Sequence, residues 1–70
     1  MRFQVFGRTM DIQRMNHRWQ VYLLGQDGKR RLLHEVLIPS HVPDHELETY
    51  LEDLLHEWAS PGKDQVIKLE

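Results

Sequence analysis

Residues 43–61, PDHELETYLEDLLHEWASP, are the longest periodic stretch of the chain and decide the predicted fold. Their large apolar side chains recur at three- and four-residue spacing, which places them on one face of a helix. Asp44 stands where an N-cap is expected, and Pro61 ends the helix because proline disfavours helical geometry in the residue before it. We therefore predict one amphipathic helix over about residues 44–59, with six residues on its apolar face: Leu47, Tyr50, Leu51, Leu54, Leu55 and Trp58.

The length and composition are those of one small domain. A chain of 70 residues is near the lower limit for a hydrophobic core that folds without disulfides or bound metals. With no cysteine, this chain has neither a disulfide nor a thiolate ligand. The N-terminal residues MRFQV alternate in polarity, unlike a signal peptide, and no apolar stretch is long enough to span a bilayer. We expect a cytoplasmic protein that has no membrane segment.

Four strands are predicted before the helix, within residues 1–38. Turns at Gly7-Arg8, Met15-Asn16 and Asp27-Gly28 would separate runs that are rich in aromatic and β-branched residues, although a single first strand bulged at Gly7 is an alternative. The fourth strand would run from Arg30 to Ile38. These turns place ten apolar residues on one inner face: Phe3, Val5, Met10, Ile12, Trp19, Val21, Leu23, Leu32, Val36 and Ile38.

The predicted fold class is therefore α+β. A four-stranded antiparallel β-meander packs its inner face on the C-terminal amphipathic helix, and residues 60–70 follow as a tail. Within that tail, residues 63–70 are either extended without a partner or an extra C-terminal edge strand.

The outer face of the predicted sheet is unusually apolar. By the same registers it carries five large apolar residues among charged and amide side chains, and apolar groups ringed by charge are typical of a contact surface. Isolated exposed apolar residues are also common in proteins, so ordinary exposure is the alternative. The candidate protein interface consists of Phe6, Tyr22, Leu24, Leu33 and Leu37.

Charge is distributed unevenly along the chain. Residues 1–43 carry seven basic and three acidic side chains, whereas residues 44–70 carry eight acidic and two basic ones. Arg18 and the hairpin residues Lys29, Arg30 and Arg31 form a candidate nucleic-acid contact beside Trp19. The acidic helix and the net charge of −2 disfavour binding to phosphates, so we rank this alternative second.

Two resemblances are carried by sequence motifs. WQVYLLGQDGKRR, residues 19–31, resembles the small three-stranded DNA-binding domains of phage integrases and of the AP2 type, which implies that an exposed sheet face enters the major groove. VFGR at residues 5–8, RWQVYLLGQDGKRR at 18–31, VLIP at 36–39 and YLEDLLHEWASP at 50–61 together resemble a group of short uncharacterised bacterial proteins, a domain of unknown function. The second resemblance spans nearly the whole chain and implies no activity.

Catalytic and metal-binding motifs are incomplete. His56-Glu57 begins a zinc-protease motif, but Ser60 stands where its second histidine belongs. Glu52 and His56 would offer a metal only two solvated ligands, fewer than a structural or catalytic zinc site needs. We expect no enzymatic activity, no cofactor and no metal. The predicted function is a protein–protein interaction module, with an unknown protein or a second copy of the chain as its partner.

Overall fold

A computed structural model describes all 70 residues as a five-stranded antiparallel sheet with one C-terminal helix. The sheet order is β4-β3-β2-β1-β5, so the possible edge strand of the sequence prediction is present and pairs with β1. The α+β prediction is confirmed. The strands are β1 (Arg2–Val5), β2 (Arg8–Met15), β3 (Arg18–Leu24), β4 (Arg30–Leu32) and β5 (Val66–Lys68).

The helical region is present at the predicted residues but is built from three pieces. A 3₁₀ turn at Asp44–Glu46 leads into α1 (Leu47–Leu55), and a second 3₁₀ turn follows at His56–Trp58. Asp44 does not cap the helix: it lies inside the first turn, which is preceded by Pro43 and has no side-chain cap hydrogen bond. Of the predicted apolar face, Leu47, Leu51 and Leu55 are buried, Tyr50 and Trp58 are half-buried, and Leu54 is exposed.

The first two hairpins differ from the prediction by two residues of register. Their turns are Phe6-Gly7 and Asn16-His17, and all four residues have positive φ, so Phe3 pairs with Met10 and Ile12 with Val21. Positive φ costs a bulky residue about 1–2 kcal/mol. Burying a phenylalanine stabilises the fold by about 1.5–3 kcal/mol, and Phe6 is buried in this turn. A shift of two residues keeps the side chains of the paired strands on their predicted faces, whereas Phe6, now in the turn, leaves its predicted outer face for the core.

The register of the third hairpin differs from the prediction by one residue. The side chains of β4 therefore lie on the opposite sheet faces from those predicted. Gly25 N–H donates to the Lys29 carbonyl at 2.8 Å, which closes a three-residue loop, Gln26-Asp27-Gly28, with Gly28 at φ 81°. Tyr22 then pairs with Leu32, whereas the predicted two-residue turn at Asp27-Gly28 would pair Leu23 with Leu32. Leu32 consequently lies on the outer face and Leu33 in the core, which reverses the two assignments made from the sequence.

The fourth strand ends six residues earlier than predicted, and the observed register explains why. Continued past Leu33, it would place Glu35 on the inner face and Val36 and Ile38 on the outer face. Burying an unpaired carboxylate is strongly unfavourable. The chain turns instead, with Val36 N–H 3.4 Å from the Leu33 carbonyl, and both Val36 and Ile38 enter the core.

The core lies between the inner sheet face and two covering segments. Helix α1 packs on β5 and β1, while residues 33–43 cover the other half of the sheet. All fifteen buried side chains are apolar, so the core contains no charged group that needs a partner. They are Phe3, Val5, Phe6, Met10, Ile12, Trp19, Val21, Leu33, Val36, Ile38, Val42, Leu47, Leu51, Leu55 and Val66.

Candidate protein-interaction site

The early end of β4 leaves half of β3 without a neighbouring strand. Leu33 N–H donates to the Val21 carbonyl at 2.8 Å, and this is the last hydrogen bond on that side of β3. Because backbone groups alternate in direction along an antiparallel strand, Trp19 presents its N–H and C=O to the same side as Val21. No backbone hydrogen bond joins Trp19 to the segment after Leu33. The amino-terminal half of β3 is therefore an open sheet edge.

The chain that leaves β4 is held over the inner face, away from this edge. The Trp19 indole Nε1 donates to the buried Val42 carbonyl at 2.9 Å. The Arg14 guanidinium lies 4.0 Å from the centre of the Trp19 ring and donates to the carbonyls of Ser40, at 3.1 Å, and Val42, at 3.2 Å. These contacts fix residues 40–42 on one side of β3, so its backbone edge remains uncovered.

A shallow cleft runs along the open edge, and we name it the β3 edge cleft. Its volume of about 240 Å³ is below the roughly 300–1,000 Å³ of typical small-molecule sites. Leu37, 73% exposed, is the most exposed large apolar residue of the protein and forms part of its wall. The apolar lining is Trp19, Val21, Leu32, Leu33, Val36 and Leu37.

The polar part of the cleft carries no negative charge. Arg18, Gln20 and His34 complete its lining, and no carboxylate is among the lining residues. Arg18 is exposed and makes neither an ion pair nor a hydrogen bond with another side chain. The acidic helix packs over β5 and β1, toward the other end of the sheet. The cleft thus combines unpaired backbone groups, apolar walls and one free cation.

Comparison with known proteins assigns the chain to a family. A family model described as a domain of unknown function (DUF7661) matches residues 1–70. The chain belongs to this family. The DUF7661 match therefore covers the whole sheet and helix, and it confirms the resemblance to an uncharacterised family that the sequence predicted. No curated protein and no solved structure matches the chain.

The DUF7661 fold separates the five predicted interface residues. Phe6 and Leu33 are buried, at 6% and 3% exposure, so they are not part of an outer surface. The turn position of Phe6 and the odd register shift of β4 carry them into the core. Tyr22 and Leu24 lie half-buried on the outer sheet face, and Leu37 lies in the β3 edge cleft.

The predicted basic patch is also divided in the DUF7661 fold. Arg18 begins β3, whereas Lys29, Arg30 and Arg31 lie at the hairpin that follows its other end. Six residue steps of strand separate the two ends, about 20 Å at roughly 3.3 Å per residue. Arg30 also contacts other side chains of the protein: its guanidinium lies 3.3 Å from the Asp11 carboxylate and 4.6 Å from the Tyr22 ring centre.

The helical carboxylates and histidines lie on the solvent side of the DUF7661 helix. His56 Nδ1 is 3.0 Å from the Asp53 carbonyl oxygen, a distance at which the ring N–H donates to the backbone. No cluster of three or more metal-ligating side chains is present. The helix is also too short and too polar to cross a membrane.

Sequence reasoning missed the open edge: it predicted Leu37 for an interface on the outer sheet face and Arg18 for a nucleic-acid contact. The signal that was missed is the length of the Gln26-Asp27-Gly28 loop. A loop of three residues instead of two shifts the register of β4 by one residue, which would direct Glu35 to the inner face and so ends the strand.

Proposed function

We propose that the protein is a non-catalytic protein–protein interaction module that binds an extended segment of another protein along the open edge of β3. The observation that carries the proposal is the unpaired backbone of Trp19 beside the exposed Leu37. Adding a strand to a sheet edge uses main-chain hydrogen bonds for affinity and side-chain pockets for specificity. The β3 edge cleft provides both elements.

The free energy available to such a contact is modest. Burying a leucine contributes about 1.5–3 kcal/mol, and each main-chain hydrogen bond contributes a net 0.5–1.5 kcal/mol, roughly. Ordering the incoming segment opposes these gains. A short neutral strand should therefore bind with a Kd of about 1 mM, equivalent to about −4 kcal/mol. Longer partners gain affinity only by contacts beyond the cleft.

The two other partner classes predicted from the sequence receive less support. A DNA contact that includes Arg18 would have to span the length of β3, and Arg30 is already paired with Asp11. A homodimer through the outer sheet face would lack Phe6 and Leu33, which are buried. Sedimentation velocity over a concentration series tests the homodimer. The cytoplasmic location is part of our proposal, and fractionation of cells that express the tagged chain tests it.

The test of edge binding uses a neutral synthetic peptide in which valine and threonine alternate. We expect it to shift the backbone amide resonances of Trp19 and Val21 during an NMR titration. A matched peptide with a central proline should bind much more weakly, because proline cannot donate to the ladder. Equal binding of the two peptides would exclude strand addition.

A pair of leucine variants locates the contact. Leu37→Ser should weaken binding of the neutral peptide several-fold, whereas Leu69→Ser, a change at an exposed leucine after β5, should leave it unchanged. Equal effects of the two substitutions would place the binding surface elsewhere.

A further inference from the structure

We infer that the segment bound at the β3 edge is acidic: an apolar residue opposite Trp19 followed by a carboxylate opposite Arg18. This inference rests on the proposed edge binding and names the chemistry of the partner. It is carried by the charge and register of the cleft.

The arginines of the sheet differ in what they contact. Arg2 lies 3.8 Å from the Glu70 carboxylate and Arg30 lies 3.3 Å from that of Asp11. Arg8 stacks 4.2 Å from the Trp58 ring centre, and Arg14 stacks on Trp19 and donates to two carbonyls. Arg18 and Arg31 have no such partner, and the one of them that lines the β3 edge cleft is Arg18. Its charge remains available to an incoming segment.

The register specifies which partner residue meets Arg18. An antiparallel strand added to β3 places one residue opposite Trp19 on the inner face, and its next residue opposite Arg18 on the outer face. The inner-face position adjoins the buried Leu33, so it favours an apolar side chain. The outer-face position adjoins a free guanidinium, and opposite charges on facing strands stabilise their pairing.

The protein's own chain has the reverse pattern and is excluded from the site for that reason. In the register of β4, Glu35 would face Trp19 and Val36 would face Arg18, with the carboxylate inside and the apolar group outside. The chain turns away at these residues and leaves the edge open. A partner in which the apolar residue precedes the acid fits the vacant position without that conflict.

Three synthetic peptides of equal length test the inference: valine alternating with glutamate, with threonine and with lysine. An exposed ion pair contributes about 0.2–1 kcal/mol, so the glutamate peptide should bind up to about fivefold more tightly than the threonine peptide. The lysine peptide should bind most weakly. Raising the salt concentration should reduce the differences because Arg18 is exposed to solvent.

Charge-reversal variants assign the preference to one side chain. Arg18→Glu should invert the order of the three peptides, and the matched control Lys29→Glu, at the far end of the hairpin, should preserve it. Equal affinities of the three peptides, with the Trp19 and Val21 amides still shifting, would overturn the acidic preference and leave edge binding intact. Absence of any shift with all three would overturn both. An unchanged order in Arg18→Glu would also overturn the inference.

Discussion

At the scale of single residues, Trp19 connects the sheet to the segment that covers it. Its indole donates to the buried Val42 carbonyl, and its ring lies under the Arg14 guanidinium. The same residue contributes the free backbone groups of the β3 edge. Trp58, in contrast, is half-buried beneath Arg8, and its indole N–H has no protein acceptor. The two tryptophans therefore differ in what they contribute to stability.

Replacing Trp19 by phenylalanine should destabilise the fold by about 1–3 kcal/mol, because the core loses a hydrogen bond and part of its packing. The loss is limited because Arg14 also donates to the Val42 carbonyl. The matched change Trp58→Phe should cost at most about 0.5–1 kcal/mol. Urea titrations compare the two variants, each of which keeps one tryptophan as a fluorophore. A larger effect at Trp58 would contradict this assignment.

At the level of secondary-structure elements, the β3–β4 hairpin determines which leucine side chains are buried and which are exposed. Its three-residue loop places Leu33 in the core and leaves Leu37 exposed. With the two-residue loop expected from Asp27-Gly28, both leucines would share the outer face. The loop thus decides both the composition of the core and the existence of the open edge.

Alanine substitution distinguishes the two registers. Leu33→Ala should lower the free energy of unfolding by about 2–5 kcal/mol, because it creates a cavity in the core. Leu37→Ala removes the same atoms from a side chain that is 73% exposed and should change stability by less than about 0.5 kcal/mol. Chemical denaturation measures both. Similar effects of the two changes would show that the leucines occupy equivalent environments and that the hairpin register is wrong.

At the scale of the whole molecule, charge is separated across the sheet. The acidic helix packs over β5 and β1, and the basic residues of β3 and β4 lie toward the opposite edge. Four of the arginines in residues 1–43 are nevertheless paired with carboxylates or stacked on aromatic rings: Arg2, Arg8, Arg14 and Arg30. We therefore expect the positive charge that remains to be too dispersed to follow a phosphate backbone.

Random duplex DNA should show no measurable binding at physiological salt, and at most weak binding at low salt. For each phosphate that a basic side chain neutralises, the logarithm of the binding constant falls with the logarithm of the salt concentration at a slope near −0.9. Few unpaired basic side chains lie close together in this protein, so few such contacts can form. Fluorescence anisotropy of a labelled duplex over a salt series measures this dependence. Submicromolar binding at physiological salt that is abolished by Lys29→Glu with Arg31→Glu would make the basic hairpin the functional site.

The α+β class, the helix near residues 44–59 and the inner faces of β1, β2 and β3 could all be predicted from the amino-acid pattern. Those faces were predictable although two turns were misplaced, because side chains alternate with a period of two and an even register shift preserves them. The pattern also predicted contact roles for Leu37, in a protein interface, and for Arg18, in a nucleic-acid contact, but not that both line one open edge. The burial of Phe6 and Leu33 and the early end of β4 could not be predicted, because they follow from the packing of the folded chain. The burial of Phe6 depends on whether the free energy gained by burying its ring exceeds the strain of a positive φ in the turn. The burial of Leu33 and the end of β4 depend on the length of the β3–β4 loop, which would direct Glu35 into the core if the strand continued.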